Sequence, residues 1–128
     1  MGEIKTFRDL IAWQRAMQLA KEVYKATSLI PDSERFGLTS QMRRAAVSIP
    51  SNIAEGHGRQ SLQDYIRFLK TARGSLMELQ TQMLLAQDLG FIRSAGELTD
   101  LLSETDRVLQ GLIRSLEKMQ LEPHGKRS

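Results

Sequence analysis

The stretch Tyr65-Ile-Arg-Phe-Leu-Lys-Thr-Ala-Arg-Gly-Ser-Leu-Met-Glu-Leu-Gln-Thr-Gln-Met-Leu-Leu-Ala86 decides the fold. Within it Tyr65, Leu69, Ala72, Leu76, Leu79, Met83 and Ala86 recur at alternating steps of four and three. That spacing draws one apolar seam down a helix and suits shallow-angle packing against similar helices. The same rhythm returns in Leu98, Leu102, Thr105, Leu109, Leu112, Leu116 and Met119. Nowhere does the chain alternate apolar and polar residues as a half-buried strand would.

Capping signals delimit the helices. Thr6, Ser61 and Ser94 each precede an acid by three residues, namely Asp9, Asp64 and Glu97. In that arrangement the hydroxyl accepts from a first-turn amide while the acid reaches back to the cap. Pro31, the pair Gly56 and Gly58, Gly90 and Pro123 mark the stops. Helices are therefore predicted over 7–28, 38–56, 62–89 and 95–121. The last two connections are too short for anything but antiparallel neighbours. The prediction is an all-α chain, an antiparallel up-down-up-down four-helix bundle. It forms one domain over residues 1–121, followed by a flexible basic tail over 122–128.

Composition fits this picture and removes several chemistries. A chain of 128 residues suits a single domain with a core of its own. The absence of cysteine excludes disulfides, thiolate zinc sites, iron–sulfur clusters and a cysteine nucleophile. No apolar run approaches the ~20 residues of a membrane span, and Met1 to Phe7 lacks the apolar stretch of a signal peptide. The expected protein is soluble and cytoplasmic. Its formal charge of +3 is a mild excess, compatible with an anionic partner or with an ordinary solvated surface.

The first two helices are unusually apolar around their circumference. Leu10, Trp13, Ala16, Met17, Leu19, Ala20, Val23, Tyr24 and Ala26 sweep roughly 200° of the first, about twice a normal buried stripe. On the second, Leu38, Met42, Ala45, Ile49 and Ile53 form the inner face, while Ser40, Val47, Pro50, Ser51 and Ala54 lie opposite. A second copy of the chain is the expected cover for that outer side. A harmless exposed face of small residues is the alternative. Pro50 inside the helix forgoes a hydrogen bond to Ala46, and Gly74 on the outside of the third helix weakens it by ~1 kcal/mol relative to Ala. Close packing between copies accounts for both, with a neutral glycine as the plainer reading. Val47, Pro50, Ser51, Ala54 and Gly74 are thus the candidate oligomer interface.

Arg43, Arg44, Arg59, Arg67, Lys70 and Arg73 are the candidate nucleic-acid contacts. Guanidinium groups suit phosphate, and such binding weakens with salt through counterion release. No aromatic series accompanies them in the sequence, which argues against base stacking. Structural ion pairs with Glu55, Asp64 or Glu78 explain the same residues equally well.

Catalytic and metal sites find no support. The histidines, His57 and His124, sit in different loop regions, and there is no inward Glu-x-x-His pair of the di-iron type. Gly56-His57-Gly58-Arg59 follows a helix and lacks the Gly-Lys-Ser/Thr ending of a phosphate loop, so it reads as a helix C-cap. Asn52, on the edge of the inner face, suits an amide that sets helix register. Trp13 and the methionines read as core or interface filler. No enzyme activity, cofactor or metal is expected.

The run Gln41-Met-Arg-Arg-Ala-Ala-Val-Ser-Ile-Pro-Ser-Asn-Ile-Ala-Glu-Gly56, with Phe7-Arg-Asp-Leu10, Trp13-Gln14, Phe36-Gly-Leu38, Gly58-Arg59 and Gly74-Ser75-Leu76, resembles the 23S rRNA intervening-sequence protein family, also called four-helix bundle proteins. The resemblance implies a small bacterial protein with an antiparallel four-helix bundle assembling into a ring-like homopentamer. It also implies a likeness to the accessory protein of diversity-generating retroelements, which binds nucleic acid and a reverse transcriptase. The expected function is a non-enzymatic homo-oligomer, pentameric by that resemblance, engaging structured RNA such as rRNA, or another nucleic acid, through its basic residues. The alternative is a protein-interaction scaffold whose arginines are structural.

Overall fold

In the computed structural model, which describes residues 3–93 and 96–122, Thr6 opens the first ordered segment as a cap. Its hydroxyl accepts from the Arg8 amide at 3.2 Å, while Asp9 Oδ2 accepts from the Thr6 and Lys5 amides at 3.1 and 2.8 Å. Those two backbone donors hold the Asp9 carboxyl below its ordinary range. The capped turn is short. Phe7–Asp9 is a 3-10 turn, Leu10 is extended and buried, and the helix proper begins at Ile11. The helix expected from residue 7 is thus broken where Leu10 drops its side chain into the core.

Four helices follow: α1 over Ile11–Thr27, α2 over Leu38–His57, α3 over Leu62–Asp88 and α4 over Gly96–Leu121, with a 3-10 turn over Asp32–Glu34 between the first two. Ser61 Oγ caps α3 by accepting from the Asp64 amide at 3.1 Å. At the other end Gly90 takes φ +79°, its amide donates to Gln87 O, and the Phe91 amide donates to Ala86 O. That is a Schellman stop, which a residue with a Cβ would strain. The expected cap at Ser94 and the tail beyond Glu122 lie outside the described residues.

Each helix packs on its sequence neighbours, and α4 closes on α1. The directions follow from specific contacts. Gly56 meets Tyr65 and Phe68, and Ser48 meets Ser75, so α2 and α3 run antiparallel. Lys70 pairs with Glu117 and Arg73 with Asp106, which sets α4 against α3. Thr27 meets Arg43 while Asp9 lies near His57, and Arg15 pairs with Glu104 while Ala26 lies beside Leu98, so α1 runs against both α2 and α4 and closes the bundle.

One apolar core runs through all four helices, with Leu19, Met42, Ile49, Ile53, Leu69, Leu76, Leu79 and Leu109 fully enclosed. The α3 seam is buried from Leu69 to Ala86, with Tyr65 half-buried at its start and Ile66 added. In α4 the expected seam is buried at Leu98, Leu102, Thr105, Leu109 and Leu116, but Ile113 takes the buried place expected of Leu112, and Met119 is exposed. A straight helix drifts about 20° per heptad against a strict seven-residue repeat, so the last turns rotate out of phase. Thr105, the polar member of this seam, donates to Leu101 O at 2.7 Å and needs no partner from outside its helix.

Candidate assembly and nucleic-acid surfaces

The outer face of α1 and α2 is a groove of about 570 Å³ lined by Trp13, Met17, Ala20, Tyr24, Val47, Pro50 and Ala54, with Lys21 and Ser51 at its edges. It forms because the apolar arc of α1 is too wide for the core. Ala16, Leu19 and Val23 point inward, leaving Trp13 and Met17 half-buried and Tyr24 and Val47 more than 40% exposed. Trp13 is held edge-on by Phe7, with ring centroids 5.2 Å apart. The helix runs unbroken through Pro50, whose ring is buried, so Pro50 belongs to the floor of this groove and not to an outward face.

Gly74 does not share that surface. It lies across the molecule in a separate groove between α3 and α4, beside Lys70, Arg73 and Met77, with open space around it. Four of the five expected interface residues therefore cluster and the fifth stands apart. The close helix approach occurs instead at Gly56, which falls inside α2 and not past its end.

Of the six expected nucleic-acid contacts, four follow one another, Arg59 and Arg67 on Phe68, Arg67 and Lys70 in one groove and Lys70 and Arg73 in the next, whereas Arg43 and Arg44 lie apart. Arg59 and Arg67 flank Phe68 at the α2–α3 turn, 4.7 and 4.9 Å from its ring centre, and pair with Glu55 at 2.8 Å and Asp64 at 3.1 Å. Lys70 and Arg73 face α4, paired with Glu117 at 2.9 Å and Asp106 at 3.0 Å. Arg43 and Arg44 lie on the opposite flank, about 20 Å along α2 from its C-terminal end. Arg43 donates to Thr27 Oγ1 at 2.8 Å and Tyr24 O at 3.3 Å, and stacks on the Tyr24 ring at 4.6 Å. There it caps the last carbonyls of α1, where a cation suits the helix dipole. Of the acids expected as partners, Glu55 and Asp64 serve, whereas Glu78 is bonded by Gln82.

Two further residues join Arg43 and Arg44 that charge counting did not select. Arg35 and Phe36 precede α2, with the Arg35 guanidinium 4.8 Å from the Phe36 ring centre and the ring 86% exposed. A phenylalanine in a polar connection was the available signal.

Asn52 acts within its own helix, donating to Ser48 O at 2.8 Å and Ser48 Oγ at 3.0 Å, while Ser48 reaches α3 through Ser75 at 2.8 Å. The register contact is thus the serine pair, with the amide behind it. His57 stacks edge-on against Tyr65 at 5.8 Å. Among the described residues no cluster of three acidic or imidazole groups could hold a metal ion, and no helix is long and apolar enough to cross a membrane.

The model of the family described as 23S rRNA-intervening sequence protein matches residues 8–114, most of the chain. No curated protein matches. The chain belongs to the 23S rRNA-intervening sequence protein family.

Proposed function

Starting from that membership, we propose that this protein is a non-enzymatic, cytoplasmic, self-associating bundle, pentameric as the resemblance implies, whose surface cations dock structured RNA or another nucleic acid. The observation that carries the reading is the apolar groove between α1 and α2. Its Val47 and Tyr24 side chains lie in water in a single copy, while Pro50 and Ala54 supply a small-residue floor against which another helix can settle. A ring of copies repeats the basic groups of one chain around its axis. The ion pairs of Arg59, Arg67 and Lys70 are exposed, and opening such a pair costs only about 0–1 kcal/mol, so phosphate can compete for them.

Light scattering tests assembly. The wild-type protein is expected at a multiple of the single-chain mass, and Val47→Glu or Ala54→Arg should reduce it to a folded single chain. A wild-type protein that is already one chain at micromolar concentration sinks the reading. Titration with structured rRNA fragments at two salt concentrations tests the ligand, with a steep salt slope expected.

A second reading, a protein-interaction scaffold, is favoured by the carboxylates that already neutralise Arg59, Arg67, Lys70 and Arg73. A flat salt slope in the same titration selects it.

A further inference from the structure

We propose that the groove at the start of α2, formed by Tyr24, Arg35, Phe36, Ser40, Arg43 and Arg44, is a binding site for a single-stranded segment of nucleic acid, with a base stacked on Phe36 and phosphates held by Arg35 and Arg44. The inference rests on the nucleic-acid part of the function proposed above and assigns it to particular residues. Three observations converge on it.

The first is charge. Arg35, Arg43 and Arg44 lie together, and none of them is paired with a carboxylate among the described residues, in contrast to the four cations of the α2–α3 turn and the α3–α4 groove. The acids nearest in sequence are Asp32 and Glu34, and Glu34 Oε1 is engaged by the Leu38 amide at 3.1 Å.

The second is aromatic surface. The linear sequence shows no aromatic series beside its arginines, but the fold brings Tyr24 from α1 and Phe36 from the connection to the same groove. Phe36 carries Arg35 near one face and is otherwise open to water. Arg43 lies over the Tyr24 ring, 4.6 Å from its centre, and is fixed there by Thr27 Oγ1 and Tyr24 O, which sets a guanidinium and an aromatic ring side by side in the groove. Aromatic and guanidinium platforms beside phosphate-binding cations are the recurring means of holding unpaired bases without reading their sequence.

The third is shape. The groove offers about 510 Å³ and is open to solvent, which leaves room for a base and its phosphates, with Ser40 in its lining. It shares Tyr24 and Val47 with the apolar groove, so in an assembly each such site falls at the rim of the contact between copies.

The test is fluorescence anisotropy with a labelled, unstructured oligouridine and with a blunt RNA duplex, each across a salt series, light scattering being recorded for every variant. Wild type should bind oligouridine in a salt-dependent manner. Phe36→Ala should weaken it about tenfold, the scale of one lost stacking contact. Arg35→Gln with Arg44→Gln should lower the log–log salt slope by about 1.4, two single-strand phosphate contacts. Arg107→Gln, an exposed cation of α4 outside these grooves, should leave both properties in place, and Arg67→Gln with Lys70→Gln reads the other basic surface. If the Arg67/Lys70 variant carries the loss while the Phe36 and Arg35/Arg44 variants bind as wild type, the site is wrong and the nucleic-acid function stands. If wild type binds neither RNA at low salt, both fall. A drop in assembly mass for Phe36→Ala would assign that ring to a contact between copies and overturn the site.

Discussion

Gly56 lies so close to α3 that a methyl group at this position would stand 2.8 Å from Phe68 Cβ and 3.2 Å from both Tyr65 Cδ1 and the Tyr65 carbonyl oxygen. The atoms in the way are a Cβ, a ring fixed by packing and backbone, none of which yields cheaply. Overpacking of this kind costs about 1–3 kcal/mol, which exceeds the ~1 kcal/mol that alanine gains over glycine in a helix. Gly56→Ala is therefore expected to destabilise the bundle in chemical denaturation. Gly74→Ala meets open space and should stabilise it by up to about 1 kcal/mol without changing the assembly mass. Equal effects from the two substitutions would show that α3 can retreat from α2 freely.

The Ser48–Ser75 bond offers a second test of the same interface. The two hydroxyls meet at 2.8 Å across α2 and α3, both half-buried, and Asn52 donates to Ser48 Oγ from the next turn. Either single alanine substitution should cost about 1 kcal/mol. The double substitution should cost less than their sum, with a coupling energy of about 0.5–1 kcal/mol. Strictly additive losses in denaturation would mean that the pair contributes nothing as a pair.

The elements that sequence made legible were those governed by local chemistry. The α3 seam, the Ser61 cap and the Gly90 stop each depend on residues within one or two turns, and each stands where it was expected. The pairs Arg59–Glu55 and Arg67–Asp64 were readable for the same reason, being four residues apart across the end of α2 and three apart in the first turns of α3. What depends on the relative rotation of two helices was hidden. Asp106 and Glu117 neutralise Arg73 and Lys70 from another helix, at sequence separations that no local pattern reveals. The exchange of roles between Gly56 and Gly74 has the same origin. The string reads Gly56 as a helix stop and Gly74 as a helical glycine, and only the packed structure tells which one has a neighbour. Arg35 and Phe36 gain significance only when Tyr24, from a different helix, is placed beside them.

The difference between the Arg73 and Lys70 pairs should be visible in stability. Asp106 keeps only 18% of its side chain exposed and is bonded by Arg73 Nε at 3.0 Å and Gln110 Nε2 at 2.8 Å. Arg73→Met leaves that shielded carboxylate with the amide alone, and should cost about 1–3 kcal/mol. Lys70→Met opens a pair exposed on both sides and should cost no more than about 1 kcal/mol. Denaturant midpoints of the two variants check the order. A Lys70 loss as large as that of Arg73 would mean that exposure does not govern these pairs.

Tyr65 should make the fold sensitive to alkali. Burial at the α2–α3 turn raises the Tyr65 phenol above the ~10 at which a tyrosine ordinarily titrates, because the phenolate loses hydration there. A folded-state pKa above the unfolded one means that the unfolded chain releases its proton first as pH rises. The contribution of Tyr65 to stability is therefore fully present below about pH 10 and is lost progressively as pH climbs through the raised value. In the Tyr24→Phe background, where Tyr65 is the sole tyrosine, tyrosinate absorbance should report that late titration directly. Stability measured from neutral to alkaline pH should fall less steeply in Tyr65→Phe than in wild type, since the substituted ring keeps its contacts with Gly56 and His57 but has no proton to release. Identical slopes for the two proteins would place the alkaline loss outside Tyr65.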